Sequence, residues 1–158
     1  SEFVQDSGGP GKYRGGMSMR RSYRLLEEEA VLQVRADRRT FRPYGLYGGG
    51  PGRPSVNIMN PGTEDRLLPA KVTMTMKRGE VFHHEQPGAG GWGDPLEREP
   101  SWVARDVRNE FVSRESARND YGVVIAAGSF DVDEAATKKL RAEMRAARGW
   151  EKPPSFSR

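Results

Sequence analysis

Lys71-Val72-Thr73-Met74-Thr75-Met76-Lys77 is the stretch on which the fold turns. Val72, Met74 and Met76 fall on one face and Thr73 and Thr75 on the other, the alternation of a half-buried strand. Val81-Phe82-His83-His84-Glu85 follows the turn at Arg78-Gly79 and reads as its partner strand. Upstream, Met17–Leu25 and Ala30–Ala36 read as two more strands, with Glu27-Glu28-Glu29 suited to a hairpin tip. Pro43–Pro54 (PYGLYGGGPGRP) holds too many breakers for regular structure.

Beyond residue 100 the pattern changes. Of the 30 Gly and Pro residues, 25 lie in residues 1–100. Asp94-Pro95-Leu96-Glu97 has a cap residue, a proline at the first helical position and a capping-box Glu. Ser101–Asn109 predicts a short helix with Val103 and Val107 four apart, and Ser113 caps a second one reaching about Asn119. Tyr121–Ala126 (YGVVIA) reads as a buried strand. Val132–Arg148 is the strongest helix, with Asp131 as cap, a Glu134–Lys138 pair and Gly149 as its stop. Its stripe of Ala136, Leu140, Met144 and Ala147 is narrow and calls for a sheet or a partner surface to dock against. The expected fold class is α+β: a glycine-rich strand and loop region (1–100), a helical region of the same domain (101–149) and a flexible tail (150–158).

Composition excludes several classes. The 158 residues are 35% hydrophobic, with no cysteine and two histidines. No run approaches the ~18–20 apolar residues of a membrane span. Disulfide scaffolds and thiolate chemistry are excluded, and the absence of cysteine fits a reducing cytoplasm. The chain starts at Ser1 with no charged-then-apolar leader behind it, so its natural start is expected further upstream, or the chain is a split-off subunit. The net charge of +4 is spread evenly along the chain, and 20 of the 26 cations are Arg. With no segregated basic stripe and no aromatic interleaving, a nucleic-acid binder is not expected.

Three glycine clusters carry the chemical potential: Gly8-Gly9-Pro10-Gly11, Gly48-Gly49-Gly50-Pro51-Gly52, and Gly88-Ala89-Gly90-Gly91-Trp92-Gly93. Such loops either cradle phosphates or an oxyanion with their N–H groups, or serve close backbone packing, which is the commoner use. None carries the GKS or GKT of a phosphate-binding loop. Adjacent His83 and His84 on a strand point to opposite faces and cannot share one metal without a bulge. Asp37 among Arg35, Arg38, Arg39 and Arg42 reads as a structural salt-bridge network, with a carboxylate orienting arginines towards an anionic group as the alternative. No Ser/His/Asp arrangement is visible in the linear sequence.

Read as strings, the same clusters resemble a known family. Asp6-Ser7-Gly8-Gly9-Pro10-Gly11-Lys12-Tyr13-Arg14-Gly15-Gly16 is similar to a signature of the hydantoinase B/oxoprolinase family. The likeness continues through Asp37-Arg38-Arg39, Pro43–Gly49, Leu68–Lys71, and Pro87–Pro95 with Arg98. It then runs through Asp106-Val107, Val112-Ser113, Ala117 and Asp120–Val124, and keeps the family's order over residues 6–141. The third cluster departs mildly, with Ala89 and Trp92 where mostly glycine and often Tyr are usual. B-type subunits are several times longer, so the resemblance covers only their C-terminal part.

The resemblance implies an ATP-dependent enzyme of A-type and B-type halves that hydrolyses hydantoins, 5-oxoproline or related lactams. Related complexes carboxylate acetone or acetophenone. ATP and Mg2+ are expected on the A-type partner and a divalent metal in the upstream B-type region, with none wholly within this chain. Phosphorylation of the amide oxygen calls for donors facing a growing oxyanion. Glycine-loop N–H groups with Arg14 or Lys12 are expected to supply them; Asp6 and Arg14 are the expected catalytic groups, with Ser7, Gly8, Gly9, Lys12, Gly90, Gly91 and Gly93 binding substrate or phosphoryl oxygens. The expected partners are the N-terminal part of the B-type subunit and an A-type subunit, with a small cyclic amide as substrate. A non-catalytic assembly module is the rival expectation.

Overall fold

Alternation does make Lys71–Lys77 a strand, yet its partner is not the segment that follows it. The computed structural model describes residues 1–158. Eight strands come first: β1 (Glu2–Phe3), β2 (Met19–Arg24), β3 (Glu29–Arg35), β4 (Gly45–Leu46), β5 (Val56–Met59), β6 (Arg66–Leu67), β7 (Lys71–Lys77) and β8 (Val81–Glu85). A 3-10 turn (Pro95–Glu97), helices α1 (Pro100–Arg108), α2 (Arg114–Asn119) and α3 (Glu134–Ala147), and a final β9 (Phe156–Ser157) complete the α+β fold.

β3 pairs with β7, from Glu29↔Lys77 to Arg35↔Lys71, and β2 pairs with β8, from Arg20↔Glu85 to Arg24↔Val81. Both expected hairpins, β2–β3 and β7–β8, are therefore absent. The two long segments instead run antiparallel side by side. The corners meet each other: Arg78 N–H donates to the Glu28 carbonyl, and the Arg78 guanidinium pairs with the Glu28 carboxylate at 2.9 Å. Opposite charges at adjacent corners favour this arrangement over a tip of three carboxylates closing on itself. Five residue steps from Arg24 to Glu29 face four from Val81 to Lys77, so the ribbon carries one extra residue at its break, as a bulge does.

The larger sheet has the order β1-β2-β8-β5-β6. Met59 and Phe82 from it pack with Val34 and Met76 of the β3–β7 ribbon, and Ala36 and Leu68 close this core. A second core joins Val103 and Val107 of α1 to Val112, Ala117, Tyr121 and Val123.

The helical half follows its local signals with four corrections. Asp94 caps the 3-10 turn by accepting from Leu96 N–H, and Ser113 caps α2 by accepting from Ser116 N–H. α3 is capped by Asp133, whose carboxylate accepts from Ala136 N–H, not by Asp131. Glu134 and Lys138 form no ion pair. The buried positions of α3 are Thr137 and Arg141, with Ala136, Leu140 and Met144 only partly covered and Ala147 exposed. Tyr121–Ala126 forms no strand beyond a single bridge of Ile125 to Val132: Val123 N–H donates to the Ala117 carbonyl, Val124 N–H to the Thr137 hydroxyl and Ala126 N–H to the Asp131 carbonyl.

Where a loose tail is expected, β9 pairs with β4, and the Tyr47 and Gly48 N–H groups donate to the Ser155 and Pro154 carbonyls. The accessible surface is 9619 Å². A compact monomer of this mass is expected to expose about 8,000 Å². The excess is large for one chain.

Candidate functional site

The three glycine clusters converge. Gly9 N–H donates to the Ala89 carbonyl, Gly50 N–H to Pro10, Gly91 N–H to Gly50 and Gly93 N–H to Leu46. Tyr13 and Trp92 exchange two backbone bonds across the same bundle. The segments lie backbone against backbone, so a side chain would have no room. A Cβ on Gly9 would strike the Gly50 carbonyl, on Gly90 the Tyr44 carbonyl and on Gly91 the Pro10 carbonyl. The close-packing use of glycine prevails here over ligand cradling at Gly9, Gly91 and Gly93, whose amides are spent inside the bundle. Gly8 and Gly90 donate no backbone bond.

Arginines clasp this platform to the helical half. α1 carries Val103, Asp106 and Val107 on its buried face. The Asp106 carboxylate accepts from Arg14 Nε at 3.0 Å and from Arg98 Nη2 at 2.9 Å. Arg98 also donates to the Lys12 carbonyl at 3.0 Å, while Arg141 donates to the Arg98 and Tyr121 carbonyls at 2.7 and 3.0 Å. Burial lowers the Arg141 pKa from its ordinary value, Arg145 lowers it further, and Asp94 opposes the shift. Burial likewise pushes the Tyr121 hydroxyl up, so this ring stays neutral.

The other expected site residues are dispersed along this joint. The Asp6 carboxylate accepts from Ser113 N–H at 2.7 Å, and Asp6 sits at φ 58, the left-handed region. The Ser7 hydroxyl is fully buried between the Val4 carbonyl and Ser18 N–H. Lys12 reaches Glu97 at 3.6 Å. Asp37 pairs with none of its arginines: its carbonyl accepts from Ser55, and Arg42 holds the Gly52 carbonyl, so the expected network is absent. An arginine bound to a carbonyl keeps its charge unneutralised.

The cross-strand register produces what the linear order hides. Ser22 lies opposite His83, with Oγ 2.9 Å from Nδ1, and His83 Nε2 is 3.5 Å from Glu85. Glu85 is shared with Arg20 at 2.8 Å and Arg53 at 3.6 Å, so its charge is already engaged. His84 points the other way, with Nδ1 2.7 Å from the side-chain amide oxygen of Asn57. Burial lowers its pKa, with His83 and Arg21 adding to the shift. No group of three His, Cys, Asp or Glu side chains is arranged to hold a metal ion. Asp106 was findable beforehand: a carboxylate one turn from Val103 and beside Val107 demands a buried cation. Its partners Arg14 and Arg98, 92 and 8 residues away, were not.

This geometry has known counterparts. Residues 1–95 match the sequence pattern of the Hydantoinase B/oxoprolinase family. The beta subunit of caprolactamase from Pseudomonas jessenii is 36% identical over 147 residues, covering 89% of this chain and 25% of that subunit. The alpha subunit of acetone carboxylase from Xanthobacter autotrophicus is 29% identical over 184 residues, 91% of this chain and 24% of that one. The crystal structure of the Pseudomonas jessenii ATP-dependent caprolactamase superposes with a TM-score of 0.67 at 32% identity, over 89% of this chain and 25% of that chain. The chain spans about a quarter of the length of these relatives. It belongs to the hydantoinase B/oxoprolinase family and is related to the large subunits of acetone carboxylases.

Proposed function

We propose that this chain is the C-terminal part, or a small subunit, of a multi-subunit ATP-dependent enzyme that opens a cyclic amide ring of the hydantoin, 5-oxoproline or lactam type. The observation that carries this reading is the likeness to caprolactamase over 89% of the chain. A ketone carboxylase is the second reading, favoured by the likeness to acetone carboxylase over 91% of the chain at lower identity.

In either reading ATP, Mg2+ and a divalent metal are assigned to other parts of the assembly. His83 and His84 diverge and no acidic or histidine trio assembles, so the residues present do not fit a divalent metal, and the glycine loops, their amides largely spent, do not fit the phosphates of ATP. The task of this chain is positioning. The platform sets fixed backbone surfaces, Arg14 and Asp6 tie it to the helices, and the excess exposed surface is covered by the N-terminal part of a B-type subunit.

The test is ATP turnover by the assembled complex. Stimulation by a lactam without bicarbonate supports the first reading; bicarbonate-dependent turnover on a ketone supports the second. Neither response would remove both. Arg14→Ala separates roles: lost turnover in an intact complex marks a site contribution, and dissociation marks scaffolding.

A further inference from the structure

Outside the platform, Arg38, Thr40, Phe41, Arg42, Tyr44 and Arg158 line a cavity of about 490 Å³. Its three guanidiniums are exposed and have no carboxylate within 4.0 Å, whereas the buried Arg98 and Arg141 are paired or bonded. Arg42 is already oriented, because Nε donates to the Gly52 carbonyl at 2.9 Å and Nη2 reaches the Pro51 carbonyl at 3.4 Å. Arg38 is held at φ 62, a left-handed conformation that a side-chain-bearing residue adopts at a cost and that a glycine would adopt freely. Phe41 is 74% exposed and Tyr44 50%, so two flat rings stand uncovered beside the cations.

We propose that this cavity binds a phosphorylated small molecule with a flat apolar part. Planar guanidinium forks match phosphoryl oxygens in pairs, and three of them around one cavity favour a dianion over a monoanion. The rings supply stacking surface for the rest of the ligand. The site lies on residues that the lactam reading does not use, so it stands or falls separately from that reading.

The test is site-resolved arginine modification by phenylglyoxal in the purified complex that contains this chain, read by peptide mass. Arg38, Arg42 and Arg158 are expected to react readily, and phenyl phosphate to slow all three at least fivefold, leaving the exposed Arg118 unchanged. Pyrophosphate protects less, since it lacks the ring. Arg38→Gly removes the charge while easing the backbone, so the fold is kept and protection of Arg42 and Arg158 falls at least threefold. Equal protection by benzoate or by sodium chloride at matched ionic strength overturns the proposal. So does slow labelling before any ligand is added, which would mean that a partner chain fills the cavity. Unchanged protection in Arg38→Gly overturns it as well.

Discussion

The glycine platform and the helical end are held by opposite means. In the platform, segments from residues 9–16, 45–52 and 88–93 touch through main-chain atoms, and side chains contribute mostly by being absent. At the helical end, six apolar side chains form a core and long arginines reach across to carbonyl groups. The first tolerates almost no added atom; the second tolerates modest change at its surface. The joint between them centres on one buried carboxylate with two guanidiniums.

Breaking that joint should have the largest effect. Asp106→Ala leaves Arg14 and Arg98 buried without a counter-charge and is expected to destabilise by about 3–5 kcal/mol in urea unfolding. A loss below about 1 kcal/mol would mean that the two regions stand independently. Gly91→Ala comes next, at about 3 kcal/mol, because the new methyl meets backbone that has nowhere to move. Gly128→Ala, in open space at φ 71, should cost only about 1 kcal/mol, and equal losses at the two positions would erase the contrast. In the helical end, Asp133→Ala is expected to remove about 1 kcal/mol and Asp131→Ala almost none, which helicity and unfolding midpoints would read out. The smallest effect is protonic. His84 has a folded pKa below its unfolded value, so its contribution is full above the unfolded value and is lost as pH falls through the folded one. His84→Asn should flatten the fall in melting temperature below about pH 6.5; an unchanged slope would place the sensitivity elsewhere.

Local chemistry explains what could be read beforehand. Caps at Asp94 and Ser113 and the stop at Gly149 depend on neighbours a few residues away, and the structure keeps all three. The alternation of Val72, Met74 and Met76 likewise fixes a strand without its partner. Partner choice is long-range. Nothing near Arg78 says that Glu28, 50 residues earlier, will meet it, and this one pairing undoes two hairpins. The platform was legible as motifs but not as packing. A glycine run looks the same whether its amides face a phosphate or another carbonyl, and only the assembled backbone tells them apart. Ser22, His83 and Glu85 illustrate the same limit, since register alone brings them into line.

The β3–β7 ribbon has two strands and therefore two unpaired flanks, and Val31 stands 72% uncovered on one of them. Such a flank invites another copy of the molecule to add a strand. Arg35 and Lys71, opposite each other at one end of the ribbon, repel that approach through like charge. Since mobile ions weaken repulsion between exposed charges, purified preparations should clump as salt is raised and keep better when dilute in electrolyte.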